Sequence, residues 1–398
     1  MVLFFIQSAA MAIWLVPLGT ILDAHGLGEI KPFSFAVHAI AAVISPLFVG
    51  AKADKGQPAV ILSFMAMLSA LAMAAVSTAI QFHLNQWLIL GLIQTYALCS
   101  APLFSITTAL IFGQLENPHH EYGPIRSLGT IGWMFGALLI SLLRLDASIY
   151  TGYVGAVFWL LVSAFACFLS RSKTWRAIRG EKKPLTFRER LGLDAMVLLK
   201  RRDIRVLLLT TMLLTIPLGS FYPFAPSHLR DLGFNRTSAW MSLAQSTEII
   251  AMFAFAWLYH KLGTRRTILC GVAIVVIRFV SSAFNTPTMH IVNVILHGAG
   301  FVLIFISTQI YFKETIDAAW TTRALALMTF LNDGIGNLIG YLGSGRWHDL
   351  CMHGTACNWP RFWGGLAAFA VLVWIVFWTL FPTDIERNRN ASLSPGNQ

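Results

Sequence analysis

Long apolar stretches alternate with short polar stretches along almost the whole chain. Most apolar stretches have close to the ~20 residues that an α-helix needs to cross a bilayer. They are continuously apolar, whereas the strands of a membrane barrel alternate between apolar and polar positions. We therefore predict an all-α membrane protein with twelve transmembrane helices, at residues 2–19, 33–51, 59–80, 87–112, 125–143, 149–170, 205–227, 238–259, 267–284, 288–312, 324–343 and 362–381.

The positively charged residues fall mainly in the loops on one side of these spans. The longest polar stretch runs from Arg171 to Arg205 and is rich in Lys and Arg. Because cytoplasmic loops carry an excess of these residues, we predict cytoplasmic termini and a cell (inner) membrane location. Residues 2–19 lack the basic segment that opens a secretory signal peptide, so we interpret them as the first span.

The same polar stretch lies midway along the chain and divides it into two similar parts. Two pseudo-symmetric six-helix bundles are typical of transporters that rock around a central binding site. We predict an N-terminal six-helix bundle at residues 1–171, a basic cytoplasmic linker at 172–203, a C-terminal six-helix bundle at 204–383 and a cytoplasmic tail at 384–398.

The composition agrees with a membrane protein. Of the 398 residues, 56% are hydrophobic and 12% are charged, whereas about a quarter of a soluble domain is charged. The net charge of +11 would indicate nucleic-acid binding in a soluble protein, but these charges lie between apolar stretches. No zinc-ligand cluster, phosphate-binding glycine loop or nucleophile elbow stands out. We expect a monomer in the lipid bilayer, without enzymatic activity, cofactor, metal or nucleic-acid partner.

Two of the five cysteines, Cys351 and Cys357, share one polar loop. A local disulfide is the favoured interpretation if this loop lies outside the cytoplasm. His348 and His353 lie nearby, so a metal site is the less favoured alternative.

Four ionisable residues lie within or at the edge of the predicted spans: Arg126, Glu248, Arg278 and Asp333. Such a residue disfavours insertion by at least ~2.5–3.5 kcal/mol, so it persists where it is paired, hydrated or functional. We interpret Arg278 as structural, with Asp333 or Glu248 as candidate partners. Asp333 lies in a glycine-rich stretch, which indicates close helix packing, with gating as a second function.

Arg126, Thr130 and Trp133 share one helix face, because they are spaced at i, i+4 and i+7. A guanidinium and a hydroxyl donate hydrogen bonds, and an indole offers a stacking surface. Together these side chains could hold a heterocycle or another polar ring. The alternative is an arginine that fixes helix packing or reaches the cytoplasmic edge of the membrane.

Two further pairs share a helix face in the second half of the chain. Gln245 and Glu248, at i and i+3, combine an amide and a carboxylate that suit ribose hydroxyls or base edges. Glu248 could also carry a coupled proton. The alternative is a carboxylate that pairs with Arg278 or Arg126 for folding alone. His297 and Phe301, at i and i+4, place two rings on one face of the tenth span.

Several motifs resemble those of a known transporter family. Gly50-x-x-x-Asp54-Lys55 resembles the loop signature of the major facilitator superfamily. The stretch from Gly123 to Trp133 resembles the fifth-helix motif of its nucleoside:proton symporter family. Similar stretches follow the family order, namely Leu18-Gly19-Thr20, Gln245-Ser246-Thr247-Glu248, Ile277-Arg278-Phe279 and Asn332-Asp333-Gly334-Ile335-Gly336.

The resemblance implies the major facilitator fold and proton-coupled nucleoside uptake by alternating access. Our hypothesis is that Glu248 carries the coupled proton, and we expect gating by Asp54 and Asp333. The substrate-binding residues expected on this basis are Arg126, Thr130, Trp133, Gln245, Glu248, His297, Phe301, Tyr222 and Thr20.

The chain departs from the family pattern at three positions. His297 stands where a tyrosine-like group is expected, and Gly219 and Tyr222 stand where the seventh helix should supply two amides. A hydrogen-bonding site rejects a ligand that leaves one of the site's polar groups unpaired. The loss of two amides should therefore change the preferred base or sugar. The alternatives are a transporter of a sugar, a nucleobase or an amphipathic drug. A non-transporting receptor or enzyme is disfavoured, because no polar segment is long enough for a soluble domain.

Overall fold

The computed structural model describes residues 1–45, 58–112, 118–171 and 186–382. This part of the chain is almost entirely helical, so the predicted all-α architecture is confirmed. Three predicted features fall outside the described residues: the gating residue Asp54, residues 172–185 of the linker and the tail at 384–398.

The first half of the chain forms helices joined by short turns. Asn85 caps the N-terminus of the helix Gln86–Ser100, because its side chain accepts a hydrogen bond from the Trp87 backbone N–H at 2.9 Å. The helices are α1 (Val2–Leu15), α2 (Leu18–Ala24), α3 (Lys31–Ser45), α4 (Pro58–Gln81), α5 (Gln86–Ser100), α6 (Leu103–Phe112), α7 (Pro118–Leu142) and α8 (Tyr150–Arg171), with a 3₁₀ turn at Gly28–Ile30.

The second half is also helical, with more interruptions. Pro217 and Pro226 lie inside helices of the seventh span, which is interrupted at Gly219, because proline lacks the N–H that continues a helix. The helices are α9 (Phe187–Arg190), α10 (Arg202–Leu218), α11 (Phe221–Asp231), α12 (Thr237–Met241), α13 (Leu243–Ala283), α14 (Pro287–Phe301), α15 (Ser307–Thr315), α16 (Ala318–Thr329), α17 (Asn337–Cys351) and α18 (Trp359–Leu380), with a 3₁₀ segment at Leu193–Lys200 and π-helical segments at Val302–Ile306 and Phe330–Gly336.

Nine segments of the described chain are long and apolar enough to cross a membrane. The longest, Thr237–Ala283, contains Gly263 with φ 72° and ψ 173°, and this glycine separates two helices. Two further helical stretches, Lys31–Ser45 and Ala318–Cys351, occupy the positions of the predicted second and eleventh spans. The helices therefore follow the order of the predicted spans, and α3 is described only as far as Ser45.

Two clusters of buried side chains form separate cores. One is drawn from residues 3–166 and includes Trp14 and Trp159. The other is drawn mostly from residues 195–381 and includes Phe279 and Trp363. Because lipid is as apolar as these side chains, close packing rather than exclusion of water stabilises each core.

The two halves contact each other at the predicted outer loops. Lys31 Nζ forms an ion pair with Asp23 Oδ1 at 2.7 Å and donates to Ser227 Oγ at 3.2 Å. In a second contact, Asp146 Oδ1 accepts a hydrogen bond from the Ser238 backbone N–H at 2.7 Å. The Lys31–Ser227 and Ser238–Asp146 hydrogen bonds each join a residue before the predicted linker to a residue after it, so the halves are held together on this side.

The favoured disulfide between Cys351 and Cys357 is not formed, because both residues are free thiols. Met352–His353 and Ala356–Cys357 pair as antiparallel strands β1 and β2, a register that places Met352 opposite Cys357. Backbone hydrogen bonds therefore hold this loop. Nor does the alternative of a metal site gain support, since no group of three or more His, Cys, Asp or Glu side chains in the described chain could hold a metal ion.

Candidate functional site

A cavity of about 290 Å³ lies between the two halves of the molecule. Eight of the nine side chains predicted to bind substrate line it. The lining residues are Ser8, Met11, Phe104, Arg126, Gly129, Thr130 and Trp133 from the first half, and Tyr222, Gln245, Glu248, His297 and Phe301 from the second.

Glycines on α7 bring the arginine-bearing face close to α1. A Cβ atom added to Gly132 would lie 2.3 Å from the Phe5 carbonyl oxygen, and one added to Gly136 would lie 2.6 Å from that of Ala9. Only glycine permits such an approach of two backbones. Gly132 of the predicted fifth-helix motif and Gly136, one turn beyond it, therefore serve packing, while Arg126 faces the cavity.

The Arg126 guanidinium lies over the Phe104 ring, 4.8 Å from the ring centroid. Thr130, one turn along the helix, is 7% exposed. Trp133 follows on the same face, and its ring lies edge to face with Tyr222, with centroids 6.0 Å apart. The first half thus presents a cation, a hydroxyl and an aromatic ring to the cavity, as the helical spacing predicts.

The segment that carries Gln245 and Glu248 is fixed against α14. Thr247 Oγ1 donates a hydrogen bond to the Ile295 carbonyl oxygen. A Cβ atom at Gly298 would lie 2.3 Å from the Ala244 carbonyl oxygen and 2.4 Å from the Glu248 backbone nitrogen. This close contact places the carboxylate and His297, the neighbour of Gly298, beside the same cavity.

Gln245 and Glu248 retain hydrogen-bonding capacity toward a ligand. Gln245 is 6% exposed, and its Oε1 has no hydrogen-bond partner in the described chain. The ion pairs of the described residues do not include Glu248. The alternative in which Glu248 or Asp333 pairs with Arg278 has no support, because Arg278 is hydrogen-bonded to uncharged side chains.

A second cavity of about 350 Å³ adjoins the first. Tyr222, His297 and Phe301 line both cavities, so the two meet at these three rings. Asp333, in the π-helical segment Phe330–Gly336, lines the second cavity together with Tyr341. Gly336 and Gly340 lie close to backbone atoms of α10, so this glycine-rich stretch packs as predicted.

The predicted binding residue Thr20 lines neither cavity. It is 1% exposed, and its carbonyl oxygen accepts a hydrogen bond from Arg230 Nη1 at 3.2 Å. The adjacent Gly19 lies close to the Pro223 carbonyl oxygen, 2.8 Å from an added Cβ. The Leu18-Gly19-Thr20 stretch therefore contributes to contact between the halves rather than to the cavity.

Sequence reasoning missed several cavity residues. Ser8, Met11 and Phe104 line the first cavity, and Gln309 and Tyr341 line the second. A single polar or aromatic residue in an apolar stretch does not indicate a binding site, because the same residue types also join helices.

The comparisons with known proteins agree with this architecture. A family model described as Nucleoside H+ symporter matches residues 1–386. YegT of Escherichia coli (strain K12) is 26% identical, covering 95% of this chain and 92% of its own. Xanthosine permease of the same strain is 24% identical, covering 94% and 93%. The crystal structure of nucleoside transporter NupG, 20% identical, matches with a TM-score of 0.85 over 96% of this chain and 98% of that chain.

The structural match shows that the chain has the fold of NupG, in agreement with the predicted major facilitator fold. The family model covers nearly the whole chain, so the predicted resemblance to nucleoside:proton symporters is confirmed. The protein is a multi-pass membrane transporter and not an enzyme. The chain belongs to the nucleoside H+ symporter family.

Proposed function

We propose that this protein takes up nucleosides together with protons and binds the nucleoside in the cavity between its two halves. The observation that supports this proposal most directly is the convergence of Arg126, Trp133 and Glu248 on one cavity, from separate helices of both halves. A site between two halves is accessible from either side in turn when the halves rock, which gives alternating access.

The chemistry of the cavity suits a nucleoside. The Trp133 and Tyr222 rings offer apolar faces to a planar base. Arg126 donates hydrogen bonds, Glu248 accepts them, and the unpaired Gln245 amide oxygen can accept from a sugar hydroxyl. A volume of about 290 Å³ is at the lower end of the range for small-molecule pockets, roughly 300–1,000 Å³, which fits a ligand with one base and one sugar.

Glu248 is the proposed carrier of the coupled proton. It lies within a span, lines the substrate cavity and takes part in none of the ion pairs of the described residues. Inside a membrane the ionised form of a carboxylate that forms no ion pair is disfavoured, whereas its protonated form is neutral. Proton binding and substrate binding would therefore occur beside each other on one helix face.

We propose a gating role for Asp333 and for the contacts at the outer loops. With the halves held together by Lys31, Asp23 and Ser227, the cavity is closed on that side. The second cavity extends past Asp333 to Gln309, one turn before Lys313 near the predicted cytoplasmic surface. We infer that this arrangement is an inward-facing state, and we propose that the transporter is a monomer in the inner membrane with cytoplasmic termini.

A competition experiment tests the substrate class. Purified protein would be equilibrated with radiolabelled uridine in detergent, and unlabelled adenosine, uracil, ribose and an amphipathic cation would be added in turn. Displacement by adenosine but not by ribose or the cation is expected. Arg126→Gln should lose binding, while Arg188→Gln, at an arginine whose side chain is 74% exposed, serves as the matched control.

A second candidate function is transport of a free nucleobase. It is favoured by Gly219 and Tyr222, which line the second cavity where the family resemblance implies two amides. With fewer side-chain donors and acceptors, the cavity would hold a smaller polar ligand. Displacement of uridine by uracil at lower concentrations than by adenosine would favour this candidate.

A further inference from the structure

His297 is the residue at which the two cavities meet. Its ring lines both cavities and stacks on the Phe221 ring, with centroids 3.9 Å apart and an interplanar angle of 9°. Tyr222 lies edge to face against the same ring at 6.2 Å. These contacts restrict rotation of the imidazole, so each of its nitrogens has a fixed environment.

One of the two nitrogens is occupied by Arg278. The arginine side chain is completely buried (0% exposed), and its Nη1 lies 2.5 Å from His297 Nδ1. Its Nε donates to Asn293 Oδ1 at 2.7 Å, and the guanidinium lies 4.7 Å from the Phe221 ring centroid. In the described chain, no carboxylate lies within ion-pairing distance of this arginine.

The contact between these two side chains decides the tautomer. A guanidinium has only donors, so Nδ1 must be the acceptor in its hydrogen bond with Arg278. A protonated imidazole carries hydrogens on both nitrogens and would direct an N–H at the cation. The ring proton of His297 is therefore on Nε2, and the ring is uncharged.

We propose that Arg278 holds His297 as the neutral Nε2–H tautomer, which makes His297 a fixed hydrogen-bond donor that selects ligands with an acceptor atom on the base. Arg278 is a positioning residue, because it acts through His297. Nε2 makes no hydrogen bond within the described chain, so it remains available to a ligand in the cavities that the ring lines.

The chemical class of ligand follows from this donor. A base that presents a ring nitrogen or a carbonyl oxygen to Nε2–H gains a hydrogen bond, whereas one that presents an N–H or C–H leaves a buried donor unpaired. In the family pattern, two amides of the seventh helix would discriminate between bases. In this chain the Nε2–H donor of His297 supplies part of that discrimination. This selectivity rests on the proposed nucleoside transport.

The tautomer can be measured without any substrate. We would record ¹⁵N NMR spectra at neutral pH of protein labelled at histidine and assign His297 by subtracting the spectrum of His297→Gln. A protonated Nε2 and an unprotonated Nδ1 are expected. Arg278→Lys, which keeps a donor, should retain this pattern, whereas Arg278→Gln should give a mixture of tautomers. A protonated Nδ1 in the wild-type protein would overturn the inference, even if nucleoside transport is established.

Uptake of adenosine and of its 1-deaza, 3-deaza and 7-deaza analogues tests the ligand class. Each analogue lacks one ring acceptor, and loss of one hydrogen bond corresponds to about a tenfold loss in kcat/KM. We expect wild-type protein to disfavour one analogue by about this factor and His297→Phe to transport all three equally. Equal transport of the three analogues by wild-type protein would contradict the inference. Absence of adenosine uptake would instead count against the proposed function, while the NMR result would still decide the tautomer.

Discussion

Trp133 of the first half and Tyr222 of the second half meet edge to face beside the cavity between the halves, with ring centroids 6.0 Å apart. The two rings belong to α7, which precedes the predicted linker in the sequence, and α11, which follows it. Because both rings also line the cavity, a bound planar base would contact both halves at once. We therefore expect a bound substrate to affect the relative position of the halves.

Replacement of Trp133 should weaken substrate binding. Aromatic pairs contribute roughly 0.5–1.5 kcal/mol beyond the area that they bury, which corresponds to about 2- to 13-fold in affinity. We expect Trp133→Leu to raise the KM for uridine by about tenfold and Trp133→Phe to have a smaller effect. Trp87→Leu, at a residue that is 58% exposed, is the control and should leave KM unchanged.

Glu248→Gln should abolish proton coupling but leave movement of the nucleoside across the membrane intact. The amide keeps polar atoms at the cavity but cannot take up a proton at neutral pH. Exchange of internal for external labelled uridine should therefore continue, while accumulation driven by a pH gradient should be lost. Asp333→Asn is the comparison, because Asp333 lines only the second cavity and is expected to change the rate but not the accumulation. Intact accumulation in Glu248→Gln would show that another acid carries the proton.

Gly298→Ala should destabilise the protein and impair binding. The added methyl group would lie 2.3 Å from the Ala244 carbonyl oxygen, so α13 and α14 must separate, at a free-energy cost of roughly 1–3 kcal/mol. Gly91→Ala is the control, because an added Cβ there has no neighbour within 4 Å. Thermal unfolding in detergent and uridine binding should both decline for the first variant and not for the second.

The hydrogen bonds that connect Lys31 and Asp23 to Ser227 should hold the outer side closed. Lys31 is 4% exposed, so Lys31→Met would leave Asp23 with one fewer partner and weaken the connection to Ser227. A cysteine introduced by Thr20→Cys, buried in the wild-type protein, should then react faster with an external, impermeant maleimide. Phe82→Cys, at a position that is 69% exposed, should react equally in both backgrounds.

Cys357 should react slowly with maleimide at neutral pH. Burial raises the pKa of its thiol to about 12, and the thiolate is the reactive form. Labelling should therefore increase as the pH rises through the alkaline range toward that value. A disulfide with Cys351 would instead abolish labelling at every pH until a reductant is added.

Local spacing explains why much of the site could be predicted from the sequence. Arg126, Thr130 and Trp133 lie on one face whenever residues 125–142 form a helix, and long apolar stretches indicate helices in a membrane. Gln245 and Glu248 follow the same rule. Spacing along a helix explains which residues share a face, and the family resemblance supplied the expectation, met by eight residues, that these faces meet at one cavity.

Contacts between helices could not be predicted in the same way. The partners of Arg278 are Asn293 and His297, on another helix, and their distance depends on packing rather than on sequence spacing. Thr20 was predicted from a motif whose glycine contacts Pro223 of the other half, so the motif served a contact between the halves. The predicted gating residue Asp54 lies outside the described residues.

Uptake of radiolabelled uridine into proteoliposomes, with and without an inward proton gradient, tests proton-coupled nucleoside transport most directly. We predict that uridine accumulates above its external concentration only with the gradient, and that a protonophore abolishes the accumulation. Equal uptake with and without the gradient would contradict proton-coupled nucleoside transport. So would a lack of uridine uptake by a folded protein that still binds uridine.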